Sequence, residues 1–173
     1  MYSKAAFLTS LKHEAKIISH LAGQVPAGKL DWRPTPGQRS TLELLQYLTC
    51  VGLASTDSAL TGGWDRWETY AGPAKQVDPA GVPKAMQRQV AAITKLLAKT
   101  TDASLRKKQG TSWIAGKKTP LGEALVETVL KPLAAYRMQL FIYLKASGAT
   151  QLTTSDCWQG KAAKVAKAKK QQG

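Results

Sequence analysis

The sequence predicts an all-α protein, a four-helix bundle with long ordered loops. Three observations carry that prediction. Four segments space their apolar residues three and four apart, the period of a helix with one buried face. No segment shows the strict apolar–polar alternation of a half-buried strand. The helices are separated by connections of roughly fifteen to twenty residues, punctuated by proline, glycine and aromatic side chains.

The first helix lies within residues 2–23. Ala6, Leu8, Leu11, Ile17, Ile18 and Leu21 form its apolar face, and Gly23 is its stop. The connector VPAGKLDWRPTPGQR carries Pro26, Pro34 and Pro36 and is too interrupted for a helix or a central strand. Trp32 is expected to anchor it to the bundle. Ser40-Thr41-Leu42-Glu43 is a capping box that opens the second helix, which runs to Gly62-Gly63 over Leu44, Leu45, Leu48, Val51 and Leu53. The stretch from Trp64 to Val82 reads as an ordered loop. Its Trp64 and Trp67 are expected in core packing, with a pocket mouth or a dimer surface as the alternative. The third helix spans about Pro83 to Thr100, with Met86, Val90, Ile93, Leu96 and Leu97 on one side. Residues 101–118 are polar and basic, and form a loop or a small hairpin around Trp113.

The fourth helix starts with Thr119 at the cap, Pro120 at the first helical position and Glu123 in the opening turn. Its stripe is Leu121, Leu125, Val129, Leu133, Tyr136, Leu140 and Leu144, and Gly148 ends it. Pro132 removes a backbone donor in its middle and clashes with the Thr128 carbonyl, so the helix is expected to kink or split there.

At 173 residues, 43% hydrophobic and 21% charged, the chain has globular composition and needs no disulfide staples. Cys50 and Cys157 are too few for a disulfide framework, and with His13 and His20 they do not make a four-ligand zinc site. Apolar runs are broken well short of the roughly 18 residues of a membrane span, and the N-terminus lacks a signal-peptide core. A cytoplasmic location is the expectation. There is no phosphate loop, no GxSxG elbow and no HExxH. The net charge is +14. Lys161, Lys164, Lys167, Lys169 and Lys170 stand in the last thirteen residues with no acid, and Arg106, Lys107, Lys108, Lys117 and Lys118 flank Trp113. Such a charge attracts polyanions. The tail beyond Gly160 has helical propensity but no apolar face, and is expected to be mobile.

Three motifs carry a family resemblance. LDWRPTPGQRSTLELLQYL runs from Leu30 to Leu48, PLAAYRMQLFIYLKASG from Pro132 to Gly148, and GKKTPLGEAL leads into the fourth helix. In order and spacing they resemble the DinB/YfiT-like superfamily, over about residues 3–149. The resemblance implies a domain at 1–149, followed by a C-terminal extension at 150–173. It also implies a nickel or zinc site built from three histidines, and metal-dependent hydrolase or thiol S-transferase activity. The histidine positions fall on Tyr47, Pro132 and Tyr136. Proline has no side-chain donor, and a phenol with a pKa near 10 must ionise to bind a divalent ion well. No metal and no cofactor are therefore expected.

The expected function is non-catalytic binding of a small ligand or a protein partner, with a homodimer as one form. The ligand-pocket candidates are Tyr47, Gln46, Cys50, Tyr136, Arg137 and Gln139. Tyr47 and Tyr136 are expected to meet as a polar plug or as a pocket, with Gln46, Arg137 and Gln139 as hydrogen-bond partners. One alternative is a hydrolase or thiol transferase altered around Tyr47, Cys50 and Tyr136. Another is non-specific nucleic-acid binding through the basic tail. His13 and His20, seven residues and roughly 10 Å apart on one helix, are expected to be exposed or structurally hydrogen-bonded. Glu123 and Glu127 are expected on a solvated face.

Overall fold

A computed structural model describes residues 3–163. The lysines at 164, 167, 169 and 170 lie outside the described residues. Four long helices form the bundle: α1 (Lys4–Ala22), α2 (Thr41–Thr61), α4 (Val82–Leu96) and the composite helix α6 (Leu121–Leu125) to α7 (Lys131–Ser147). Helices α1 and α2 each pack against both α4 and α7, so chain order is not the order around the bundle. The core between them holds Leu11, Ile18, Leu44, Leu48, Ile93, Leu133 and Leu140, each fully buried.

Local signals fix several boundaries. Ser3 caps α1 by accepting from the Ala6 amide. The capping box of α2 is complete: Ser40 N–H donates to Glu43 Oε2 at 2.6 Å and Glu43 N–H donates to Ser40 Oγ at 3.2 Å. Gly62 then ends α2 with a φ of 90°, a conformation open to glycine at little cost.

Two short helices stand where the sequence pattern reads loop, and a third lies in the C-terminal extension. Helix α3 (Trp67–Ala74) occupies the aromatic stretch, with Pro73 tolerated in its last turn. Helix α5 (Asp102–Lys107) is capped by Thr101. Helix α8 (Thr154–Gln159) opens on a second capping box, in which Thr153 N–H donates to Asp156 Oδ2 at 2.8 Å. The region around Trp113 is an antiparallel hairpin of β1 (Gln109–Ser112) and β2 (Lys117–Pro120), with Thr111 opposite Lys118. Thr119 therefore belongs to β2, and Pro120 rather than Thr119 precedes the first residue of α6.

Residues Val126–Leu130 form one π turn, closed by the Lys131 N–H donating to the Val126 carbonyl. This is where the fourth helix is divided. The wider turn accommodates Pro132, which offers no N–H and would crowd the carbonyl four residues back in a regular helix.

The packed body continues past residue 149. Leu152 and Cys157 are buried, and α8 lies on α1. At Gly160 (φ 60°) a Cβ would stand 3.1 Å from Ile17 Cα, so the turn after α8 presses directly on the α1 backbone. Among the described residues no helix is long and apolar enough to cross a membrane.

Candidate functional site

The early turns of α2 present Gln46, Tyr47 and Cys50 to one side. Two walls rise over them. One is the connector at 33–39, tied down by Thr41 N–H to the Trp32 carbonyl and Leu42 N–H to the Leu30 carbonyl, each at 2.9 Å. Trp32 anchors it, meeting Tyr143 edge-on at 5.3 Å. The other wall is α3, which contributes Trp67, Ala71 and Ala74. Gln46 ties the segment after α3 to α2, because its Nε2 donates to the carbonyls of Lys75 (2.9 Å) and Val77 (3.2 Å). Between them lies a cavity of about 400 Å³, a size suited to a small organic ligand.

The walls are cationic and aromatic. Arg33, Arg39 and Lys75 line the cavity beside the single carboxylate of Glu43. Glu43 is already committed: the Ser40 backbone N–H and Arg33, 3.4 Å away, hold its carboxyl below the usual range. Lys75 lies 3.6 Å from Glu68 with both side chains largely exposed, a pairing that contributes little. Arg39 has no carboxylate within ion-pair distance among the described residues. Its guanidinium lies on the Tyr47 ring, 3.9 Å from the centroid, where the negative face of the ring attracts a cation.

Tyr47 and Tyr136 meet. Their rings are 4.9 Å apart and nearly perpendicular. Burial pushes the Tyr47 hydroxyl above its ordinary range, and the neighbouring Tyr136 phenol pushes the same way. From Tyr47 a train of rings runs outward through Trp67 (6.1 Å) and Trp64 (6.0 Å) to Trp113 (6.1 Å). Trp67 is half-buried at the cavity. Trp64 and Trp113 are 40% and 42% exposed, so core packing does not describe them. The Cys50 thiol is buried and donates to the Tyr47 carbonyl at 3.4 Å. Burial raises its pKa to about 11, so it is a thiol and not a thiolate at neutral pH.

The six candidates thus separate. Gln46, Tyr47 and Cys50 line the cavity, and Tyr136 meets Tyr47 without reaching the cavity wall. Gln139 donates to the Tyr143 hydroxyl at 2.6 Å. Arg137 faces away, since successive helical residues point about 100° apart. It joins α1 and α8: Nε donates to Glu14 Oε2 at 2.6 Å and Nη1 to the Cys157 carbonyl at 2.7 Å. Gln46, Gln139 and Arg137 are therefore bonded elsewhere and do not serve the tyrosine hydroxyls. Arg33, Arg39, Trp67 and Lys75 come from the connector and α3, and periodicity along the main helices does not reveal them.

Both histidines are structural. His13 Nε2–H donates to the Trp158 carbonyl at 2.9 Å and His20 Nε2–H to Asp156 Oδ1 at 2.8 Å. Glu127 pairs with Lys131 on the same helix, and Glu123 is exposed.

The positions at which the resemblance implies metal ligands do not fit a divalent ion. Pro132 has no donor, and burial makes Tyr47 resist ionisation even with the Arg39 cation on its ring. Among the described residues no group of three His, Cys, Asp or Glu side chains is placed to hold a metal.

No protein-family model matches the sequence, and no curated protein matches it. Among solved structures, the chain is similar to the crystal structure of a DinB-like protein, YjoA, from Bacillus subtilis. That match has a TM-score of 0.63 at 17% identity and covers 85% of this chain and 94% of the other. Likeness at this identity speaks for architecture, and it agrees with the helix order and the motifs around Leu30–Leu48 and Pro132–Gly148: the chain has the DinB-like four-helix fold.

Proposed function

We propose that this protein binds a small ligand without a metal and without catalysis, in the cavity between the connector, α2 and α3. The supporting observation is that cavity of about 400 Å³, walled by two segments outside the bundle proper and floored by Tyr47 and Cys50. A structural plug would fill its space; here the tyrosine pair closes the bundle interior and leaves the outer volume open. The chemistry inside favours binding over turnover. The only cysteine at the site is held as a thiol, and both histidines are tied to the opposite side of the bundle. Among the described residues that line the cavity there is no thiolate and no histidine to act as nucleophile or general base.

Ligand-observed NMR on EDTA-treated protein, with a panel of small acids, amines and neutral aromatics, tests the proposal. At least one class is expected to bind, shifting the Trp67 indole and Cys50 amide signals, without being consumed. A panel that leaves those signals unmoved, or binding that requires added nickel or zinc, would overturn it.

A second reading has its own observation. Trp64, Trp113 and Ile114 are 40%, 42% and 46% exposed beside one another in sequence or ring contact. Such a patch suits a protein partner, including a second copy of this chain. Sedimentation of the wild type against Trp113→Ser tests it: a dimer lost on substitution would support it, and a monomer in both would remove the homodimer.

A further inference from the structure

The cavity also carries information about which ligand it takes. We propose that it binds a small aromatic carboxylate, or an organic acid of like shape, with the acid group on Arg39 and the ring against Trp67. This rests on the small-ligand reading above.

The argument begins with charge. Three cations and one carboxylate line the cavity. Glu43 is spent on the α2 cap and on Arg33. The α2 N-terminus is likewise occupied by its own capping box and is not the anchor. That leaves Lys75, loosely paired with Glu68 and largely exposed, and Arg39, with no carboxylate partner among the described residues. A ligand cation would meet net repulsion here, and a ligand anion net attraction.

Orientation follows from the stacking of Arg39. One face of its guanidinium rests on Tyr47, 3.9 Å from the ring centroid, and it also lies 5.8 Å from the Tyr136 ring. A stacked guanidinium keeps its N–H edge free, and that edge grips a carboxylate through two parallel hydrogen bonds. The stack also holds the side chain in place, so less conformational freedom is lost on binding. Apart from Gln38 and Gln46, the uncharged lining is apolar or aromatic and includes Trp67, the Cys50 thiol and alanines of α3. A planar ring satisfies both halves of such a site, whereas a phosphate or a bare inorganic anion would leave the Trp67 wall unused.

Calorimetric titration of the full chain with three probes that share one ring system decides the matter: 1-naphthoate, 1-naphthamide and 1-naphthylmethylamine. Naphthoate is expected to bind about tenfold or more tightly than the amide, because only the carboxylate adds an ion pair and a second parallel hydrogen bond to the guanidinium. Arg39→Gln should remove most of that advantage, weakening naphthoate far more than the amide. Trp67→Ala should weaken both, and Trp67→Phe should restore most of the loss. Arg39 is exposed at the surface, so its variant is expected to fold as the wild type does, which circular dichroism checks. Equal or tighter binding of the amide or the amine would overturn the acid preference and leave small-ligand binding standing. So would naphthoate binding untouched by Arg39→Gln. If none of the three binds while other panel compounds shift Trp67, the acid proposal alone falls. If nothing occupies the cavity, both fall.

Discussion

Tyr136 and Arg137 are neighbours in sequence and stand in opposite kinds of environment. Tyr136 faces α2 and packs on Tyr47, beyond which the cavity opens and Arg39 lies on the Tyr47 ring with no carboxylate partner among the described residues. Arg137 faces α1 and α8, where every strong group is spoken for: Glu14 and the Cys157 carbonyl on Arg137, Asp156 on His20 and Thr153, and the Trp158 carbonyl on His13. Charge saturated by protein partners holds structure. Charge left without a partner beside an open volume is available for binding. The two sides of one helix therefore separate a clasp from a site.

The largest expected effect breaks the clasp. Arg137→Met strands Glu14, which is mostly buried, and should cost about 3 kcal/mol or more in urea unfolding. Adding Glu14→Gln should recover part of the loss, because the uncompensated charge is then removed. A loss below about 1 kcal/mol would mean that the pair behaves like an exposed ion pair.

A pH series sharpens the same side. Burial acts to raise the Asp156 carboxyl, but hydrogen bonds from His20 and Thr153 outweigh it and hold it below the usual carboxylate range. A depressed folded value means that the stabilisation is complete above about pH 4, the unfolded value, and fades as pH falls through the folded one. The stability gap between wild type and Asp156→Asn should therefore be constant near neutrality and shrink in acid. A gap independent of pH down to about 2 would show that Asp156 acts by packing alone.

The tyrosine pair belongs to the open side and should matter less. Tyr47→Phe and Tyr136→Phe keep the ring contact and lose only hydroxyls, each on the order of 1 kcal/mol. Because the rings and hydroxyls adjoin, the double variant should cost less than the sum of the two. Strict additivity in a thermodynamic cycle would show the phenols to be independent. The smallest effect is expected from metals. Nickel, zinc or EDTA should leave the melting temperature unchanged, and one ion per untagged chain surviving dialysis would contradict the donor chemistry at Tyr47, Pro132 and Tyr136.

Much of the bundle was legible because its signals are local. The capping box at Ser40–Glu43, the stops at Gly23, Gly62 and Gly148, and the apolar stripes each act within a turn or two of their own residues. The short helices were harder. Gly72 and Pro73 argue for a loop, yet eight residues pinned against α2 by Trp67 and Ala71 fold as α3 through tertiary contact. Helix α8 had a readable sign in Thr153–Asp156, a capping box with Asp in place of the usual Glu. Within the site, Tyr47 and Cys50 were visible as one face of α2. Arg39 was not, because its role depends on how the connector folds back, and nothing periodic encodes that. Arg137 was drawn to the pocket by adjacency, where helical phase sends it to the other side.

The π turn at Val126–Leu130 has a consequence for how this helix tolerates change. The buried run Leu121, Leu125, Val129, Leu133 advances by four three times, and in a regular helix that stripe would drift by about 120°. A π turn absorbs roughly one residue's rotation, which keeps the stripe straight and brings Tyr136 round to Tyr47. The helix thus carries one residue more than its length along the bundle requires. Such a surplus is what a single-codon insertion into an uninterrupted helix would leave behind. Removing one residue between 126 and 130 should close the turn and keep everything beyond it in phase, except that Pro132 would lose the room that makes it acceptable. Insertion and proline are in this sense a matched pair, and neither is easily reverted alone.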